Sequence, residues 1–121
     1  MLKSAAIEIM PPGEAAPPAS MMRERAWLVQ ATVAHVTGVA FKDLCASTRK
    51  RPKAAFARQI AMYLCHVVFE MSLSQVARTF GRDPSTVAHA FRRIEELRDD
   101  PEIDRMLTWL EAMLPRAARM P

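Results

Sequence analysis

Glycine is scarce in this chain, three residues in 121. No stretch alternates apolar with polar side chains, so helices are expected and sheet is not. Cysteine is nearly absent: Cys45 and Cys65 are far apart and form no Cys-x-x-Cys pair. That spacing excludes a disulfide scaffold and a zinc site, and both thiols read as small buried hydrophobes in a reducing compartment. His35, His66 and His89 are dispersed. No nucleophile–base pair, carboxylate dyad or metal-ligand cluster emerges, so no enzyme, no metal and no cofactor is expected. Long hydrophobic runs are missing too. The apolar stretch Ile60 to Phe69 is shorter than the ~20 residues of a membrane span and contains His66. No apolar segment precedes Pro11, so no secretory signal is expected. These absences place the protein in the cytoplasm.

Acidic residues are rare in one region only. Between Ser47 and Arg93 nine Lys and Arg face just Glu70 and Asp83, whereas the remainder of the chain is slightly acidic. The net charge of +4 therefore understates a concentrated basic segment, which points to a polyanionic partner. Half of the residues are apolar, enough for one modest core.

Residues 1–20 hold four of the nine prolines among Ala, Gly and Glu, and read as a disordered tail or linker with room for a protein-partner motif. Residues 21–115 read as one helical domain and 116–121 as a frayed end after Pro115. Met22, Ala26, Val29, Val33 and Val36 recur at helical spacing, giving a first helix that ends near Gly38. A short second helix, about Phe41 to Cys45, presents Phe41 and Leu44 inward. Ser47 to Lys53 is a basic loop. The helix from about Ala54 to Phe69 is apolar on nearly all sides, as a central buried helix is, with Arg58 and Gln59 as polar exceptions in its first turns. Ser72 with Gln75 forms a capping box opening a fourth helix. Asp83-Pro84 and Asp100-Pro101 are start signals for a fifth and a sixth. The fold class is thus all-α, a six-helix bundle with a disordered Pro-rich tail.

Function is carried by Gln75 to Ile94, QVARTFGRDPSTVAHAFRRI. A helix-turn-helix needs a small residue where its helices cross, a glycine in the turn, and apolar residues locking the second helix on the first. Ala77, Gly81 and Val87 meet these needs, and Ala90 and Ile94 continue the stripe. The opposite face carries Ser85, Thr86, His89, Arg92 and Arg93, which can donate to base edges and phosphates in a major groove. Arg49, Lys50, Arg51 and Lys53 form a second constellation beside a helix start bearing Arg58 and Gln59. Such a basic loop can enter the adjacent minor groove.

These blocks carry a resemblance. From about Met22 to Leu114 the chain resembles the C-terminal DNA-binding domain of the bacterial replication initiator DnaA, a TrpR-like helix-turn-helix. The resemblance lies in RQIAMYL (Arg58 to Leu64), SLSQVARTFGRD (Ser72 to Asp83) and STVAHAFRRIEEL (Ser85 to Leu97). It implies duplex DNA as partner, with Asp83, Ser85, Thr86 and His89 in the major groove. It further implies Lys50, with Arg49 and Arg51 as neighbours, in the minor groove, and Arg58 and Gln59 at backbone phosphates. Arg92 and Arg93, one turn further along the second helix, and Lys53 of the basic loop are expected at phosphates from their own placement. Two departures stand out: one of the family's paired glycines is missing before Arg82, and Pro84 replaces a base-reading histidine. Losing one bidentate base contact removes about 1–3 kcal/mol of discrimination, so the preferred sequence is expected to shift or relax. The chain holds no G-x-x-x-x-G-K-[ST] loop. It is therefore expected to bind no nucleotide and to act as a stand-alone, nucleoid-associated module that regulates replication initiation or transcription at DnaA-box-like sites. The alternative is an interaction module that keeps the fold and works through protein contacts.

Overall fold

The computed structural model describes residues 18–46 and 52–120; the first seventeen residues, 47–51 and the last residue lie outside it. Six helices and no strands make up the described residues: α1 (Ala19–Thr37), α2 (Phe41–Cys45), α3 (Pro52–Phe69), α4 (Leu73–Phe80), α5 (Pro84–Leu97) and α6 (Pro101–Arg119). The all-α, six-helix expectation holds. Of the segment read as a disordered tail, 1–17 lie outside the described residues, and Ala19 and Ser20 already belong to α1.

α3 is the hub. It contacts every other helix, and the six consecutive residues Ile60, Ala61, Met62, Tyr63, Leu64 and Cys65 are all buried. A helix can bury a whole turn and a half only when neighbours surround it, which is what its nearly all-round apolar sequence requires. Val67, near its C-terminus, is the apolar residue left 40 % exposed. α1 lays Ala26, Val29 and Val33 against α3, while Val36, expected on the same stripe, is exposed. In α2, Leu44 is buried but Phe41 is not; its ring instead stands 6.2 Å from exposed Trp27 on α1. Five residues make barely more than one turn, so one apolar side chain reaches the core and the other lies outside.

Local signals set the boundaries. α1 stops at Gly38, in the left-handed region, and α3 stops at Glu70, whose φ of 57° makes it the one described non-glycine residue with positive φ. The Met71 N–H donates back to the Cys65 carbonyl, and the Met71 carbonyl lies 2.7 Å from His66 Nδ1, so this turn is tied on both sides. α6 differs from its expected end. It continues through Pro115 to Arg119, because its last turns run along α1, where Ala117 and Ala118 border a cleft with Met21, Arg25 and Leu28. A proline inside a helix removes one backbone hydrogen bond, and this packing, with Leu114 fully buried, outweighs that loss.

The C-terminal layer is fastened by Arg98, just past α5. Its guanidinium donates to Asp104 (2.6 Å), Glu111 (2.6 Å), Thr108 (3.0 Å) and the Tyr63 hydroxyl (3.0 Å), joining α5, α6 and α3. Partial burial works against the charge, but these hydrogen bonds outweigh it and hold the guanidinium protonated more firmly than usual.

Candidate nucleic-acid interface

α4 begins with a complete capping box. Ser72 Oγ accepts from the Gln75 N–H at 3.1 Å, and the Ser72 N–H donates to Gln75 Oε1 at 2.8 Å. It ends at Gly81, φ 65°, where the Arg82 N–H donates to the Ala77 carbonyl at 2.9 Å. A Cβ here would meet nothing within 4 Å, so glycine is required by the backbone conformation alone. Arg82 and Asp83 then lead directly into α5. Ala77 is buried in α4 beneath buried Val87, Ala90 and Ile94 of α5. The two helices therefore form the helix-turn-helix that the spacing predicts, with α5 as its second helix.

Burying that stripe leaves the other face of α5 outside. Ser85, His89, Arg92 and Arg93 are exposed and Thr86 is half-buried. Positions 85 to 93 span roughly 12 Å along the helix axis. Beside them lies an open concavity of about 560 Å³ lined by Asp83, Ser85, Thr86, His89, Arg82, Arg58 and Gln59, among others. All four residues expected in the major groove thus meet Arg58 and Gln59 on one surface. Lys53 is exposed on the first turn of α3. Arg49, Lys50 and Arg51 lie outside the described residues.

Arg58 differs from its neighbours. It is only 6 % exposed, its Nε–H donates to the Leu44 carbonyl at 2.8 Å, and its Nη2 donates to the Asp43 carbonyl at 3.2 Å. Burial, and after it the positive charge of nearby Arg82, pulls this guanidinium below the usual arginine range. Arg82, which the sequence reading did not single out, donates from Nη2 to the Ala46 carbonyl at 2.6 Å. At the end of α2 the Asp43 carbonyl accepts the Ala46 N–H at 3.3 Å. Two arginines, from α3 and from the helix-turn-helix, donate to the carbonyls of Asp43, Leu44 and Ala46, as the orphan carbonyls of a helix end require. The end of α2 is thereby tied to α3 and to the turn of the helix-turn-helix. The signal for Arg82 was its position beside Gly81 in the turn, where a long cation can reach back across the motif.

Among the described residues no three His, Cys, Asp or Glu side chains stand close enough to hold a metal ion. No described helix is long and apolar enough to cross a membrane.

Residues 27–94 match the family described as bacterial dnaA protein helix-turn-helix. The chromosomal replication initiator protein DnaA of Tropheryma whipplei (strain Twist) is 41 % identical over 70 residues, covering 58 % of this chain and 14 % of that protein. The DnaA of Treponema denticola is 36 % identical over 83 residues, covering 66 % of this chain and 17 % of its own length. The chain thus spans less than a fifth of these relatives. Among solved structures, a crystal structure of a DNA replication initiation factor superposes with a TM-score of 0.70 at 31 % identity, covering 78 % of this chain and 29 % of the other. A replication initiator DnaA bound to AMPPCP and single-stranded DNA gives 0.66 at 33 %, covering 76 % and 28 %. The matched residues run from α1 to the last buried residue of the α5 stripe, and the chain belongs to the bacterial DnaA helix-turn-helix family.

Proposed function

We propose that this protein binds duplex DNA with a sequence preference related to DnaA-box sites, and regulates replication initiation or transcription by occupying them on the nucleoid. The observation that carries this reading is the outward face of α5. It combines Ser85, Thr86 and His89, beside Asp83, with Arg92 and Arg93 further along the same helix. An α-helix fits the major groove of B-DNA, where such side chains meet base edges, while cations further along meet phosphates. Lys53 and Gln59 at the start of α3 supply further phosphate contacts, and Arg49, Lys50 and Arg51 reach the minor groove. Arg58, with two nitrogens on carbonyls, supports the surface from beneath.

The two groups of residues have separable effects. Replacing Arg92 and Arg93 with alanine weakens binding to all duplexes alike and lowers the slope of log K against log salt by about 2, one phosphate for each arginine. Replacing Thr86 or His89 with alanine leaves that slope near its wild-type value and narrows the gap between preferred and random duplexes by about 1–3 kcal/mol. Salt titrations of the wild type and these variants check both. Affinity indifferent to salt in the wild type would contradict the proposal.

A further inference from the structure

Two of the six helices begin with the same dipeptide, Asp83-Pro84 at α5 and Asp100-Pro101 at α6. The two aspartates behave differently. Asp100 turns its carboxylate onto its own helix and accepts from the Glu102 N–H at 2.9 Å. Asp83 sits in the same extended N-cap conformation, φ −67° and ψ 144°, yet its side chain makes no capping bond. Asp83, Pro84 and Ser85 are all exposed, and Asp83 and Ser85 border the concavity. In α6 the dipeptide only starts a helix. In α5 the dipeptide and the Ser85 that follows it also display three side chains at the leading end of the helix that faces outward.

Pro84 is the middle one. At the first helical position a proline sacrifices no intrahelical bond, since that N–H would have no partner within the helix. Its ring is fixed and apolar, with neither a donor nor an acceptor. Residues at the N-terminal end of a recognition helix are the ones that meet base edges. A side chain without hydrogen-bonding atoms cannot tell bases apart by their donor and acceptor patterns. The major-groove feature left for it to read is the C5-methyl group of thymine, which apolar side chains contact.

We infer that Pro84 is a specificity-determining residue whose ring packs on the methyl group of one thymine in the preferred duplex; this rests on the DNA-binding reading above. Discrimination at that base pair comes from a methyl contact, while Asp83 and Ser85 beside it keep polar atoms for the flanking pairs.

The test uses the full chain. A pool of random duplexes is enriched for binders, and in the resulting site each thymine is replaced, one at a time, by deoxyuridine, which lacks only the methyl. Each duplex is then titrated against wild type and Pro84→Ala, a change that keeps a good helix former at the helix start; circular dichroism checks that the fold is retained. At one thymine, methyl removal weakens the wild type about fourfold, the value of one buried methyl group. At the same thymine it weakens Pro84→Ala by clearly less, since alanine offers one methyl group where proline offers a ring. A second variant, Pro84→Gln, gains an amide able to pair with adenine and moves the preference at that position from thymine to adenine. If every uracil substitution affects wild type and Pro84→Ala equally, the inference is overturned while DNA binding stands. If no duplex is enriched from the pool, the DNA-binding reading itself falls, and the inference with it.

Discussion

A guanidinium in the first turns of a helix, next to a run of basic residues, invites assignment to a phosphate. At position 58 the structure gives it partners within the protein, with Nε–H on the Leu44 carbonyl and Nη2 on the Asp43 carbonyl. A buried carbonyl deprived of its donor costs about 1–3 kcal/mol. Arg58→Met is therefore expected to lower the unfolding free energy by that amount in urea titrations. Arg92→Met, on the solvated face of α5, should change stability by less than about 0.5 kcal/mol. Equal effects at the two positions would contradict this account. The contrast was not legible in the sequence, since both arginines are cations within helices and the donation of Arg58 to α2 carbonyls depends on where α2 lies. Cys65 is the opposite case. Both thiols read as buried, and the structure corrects one of them. Cys45, at the end of the short α2, is exposed, whereas Cys65 in its apolar helix is fully buried, with burial pushing its thiol up from 9.0 to about 12. A folded-state value above the unfolded one means that the stabilisation is complete below pH 9 and fades as pH rises towards 12. Between those limits the unfolding free energy of the wild type should fall more steeply than that of Cys65→Ala, by up to about 1.4 kcal/mol per pH unit. Parallel profiles would show that the thiol ionises without penalty.

At the scale of elements, short-range signals transferred from sequence to structure and long-range ones did not. The Ser72–Gln75 box, Gly81 at the turn and the two Asp-Pro starts all depend on neighbours within four residues, and all of them mark real boundaries. The inward placement of Phe41 and Val36 depends on what lies above them, and nothing covers either fully. The extension of α6 beyond Pro115 likewise depends on α1, nearly a hundred residues earlier. Glu70, with its positive φ, carried no sequence signal at all. α4 shows how much a local signal contributes. With eight residues it is well below the length at which an isolated helix persists in water, so its caps carry weight. Ser72→Ala removes an N-cap acceptor and should cost about 1 kcal/mol of stability, measured by thermal or urea unfolding. A cost near zero would mean that packing of Val76 and Ala77 alone holds α4 in place.

Across the whole molecule, the distribution of charge and burial separates two halves of the account. α3 with α1 and α6 provides the core, and the Arg98 network locks α5 to that core at its C-terminal end. The N-terminal end of α5 is left free to carry Asp83, Pro84 and Ser85, all exposed. Much of this candidate surface was legible in the sequence, because a helix-turn-helix fixes which face of its second helix is buried and thereby which face is not. The roles of Arg58 and Arg82 were not legible, since they act across 14 and 36 residues of chain. The central claim, that the exposed face of α5 reads duplex DNA, is tested most directly by fluorescence anisotropy. A labelled duplex carrying a DnaA box is compared with a shuffled duplex of the same composition, each at low and at physiological salt. The account predicts tighter binding to the box and a steep loss of affinity for both duplexes as salt rises. Absence of binding to either duplex at low salt would contradict it.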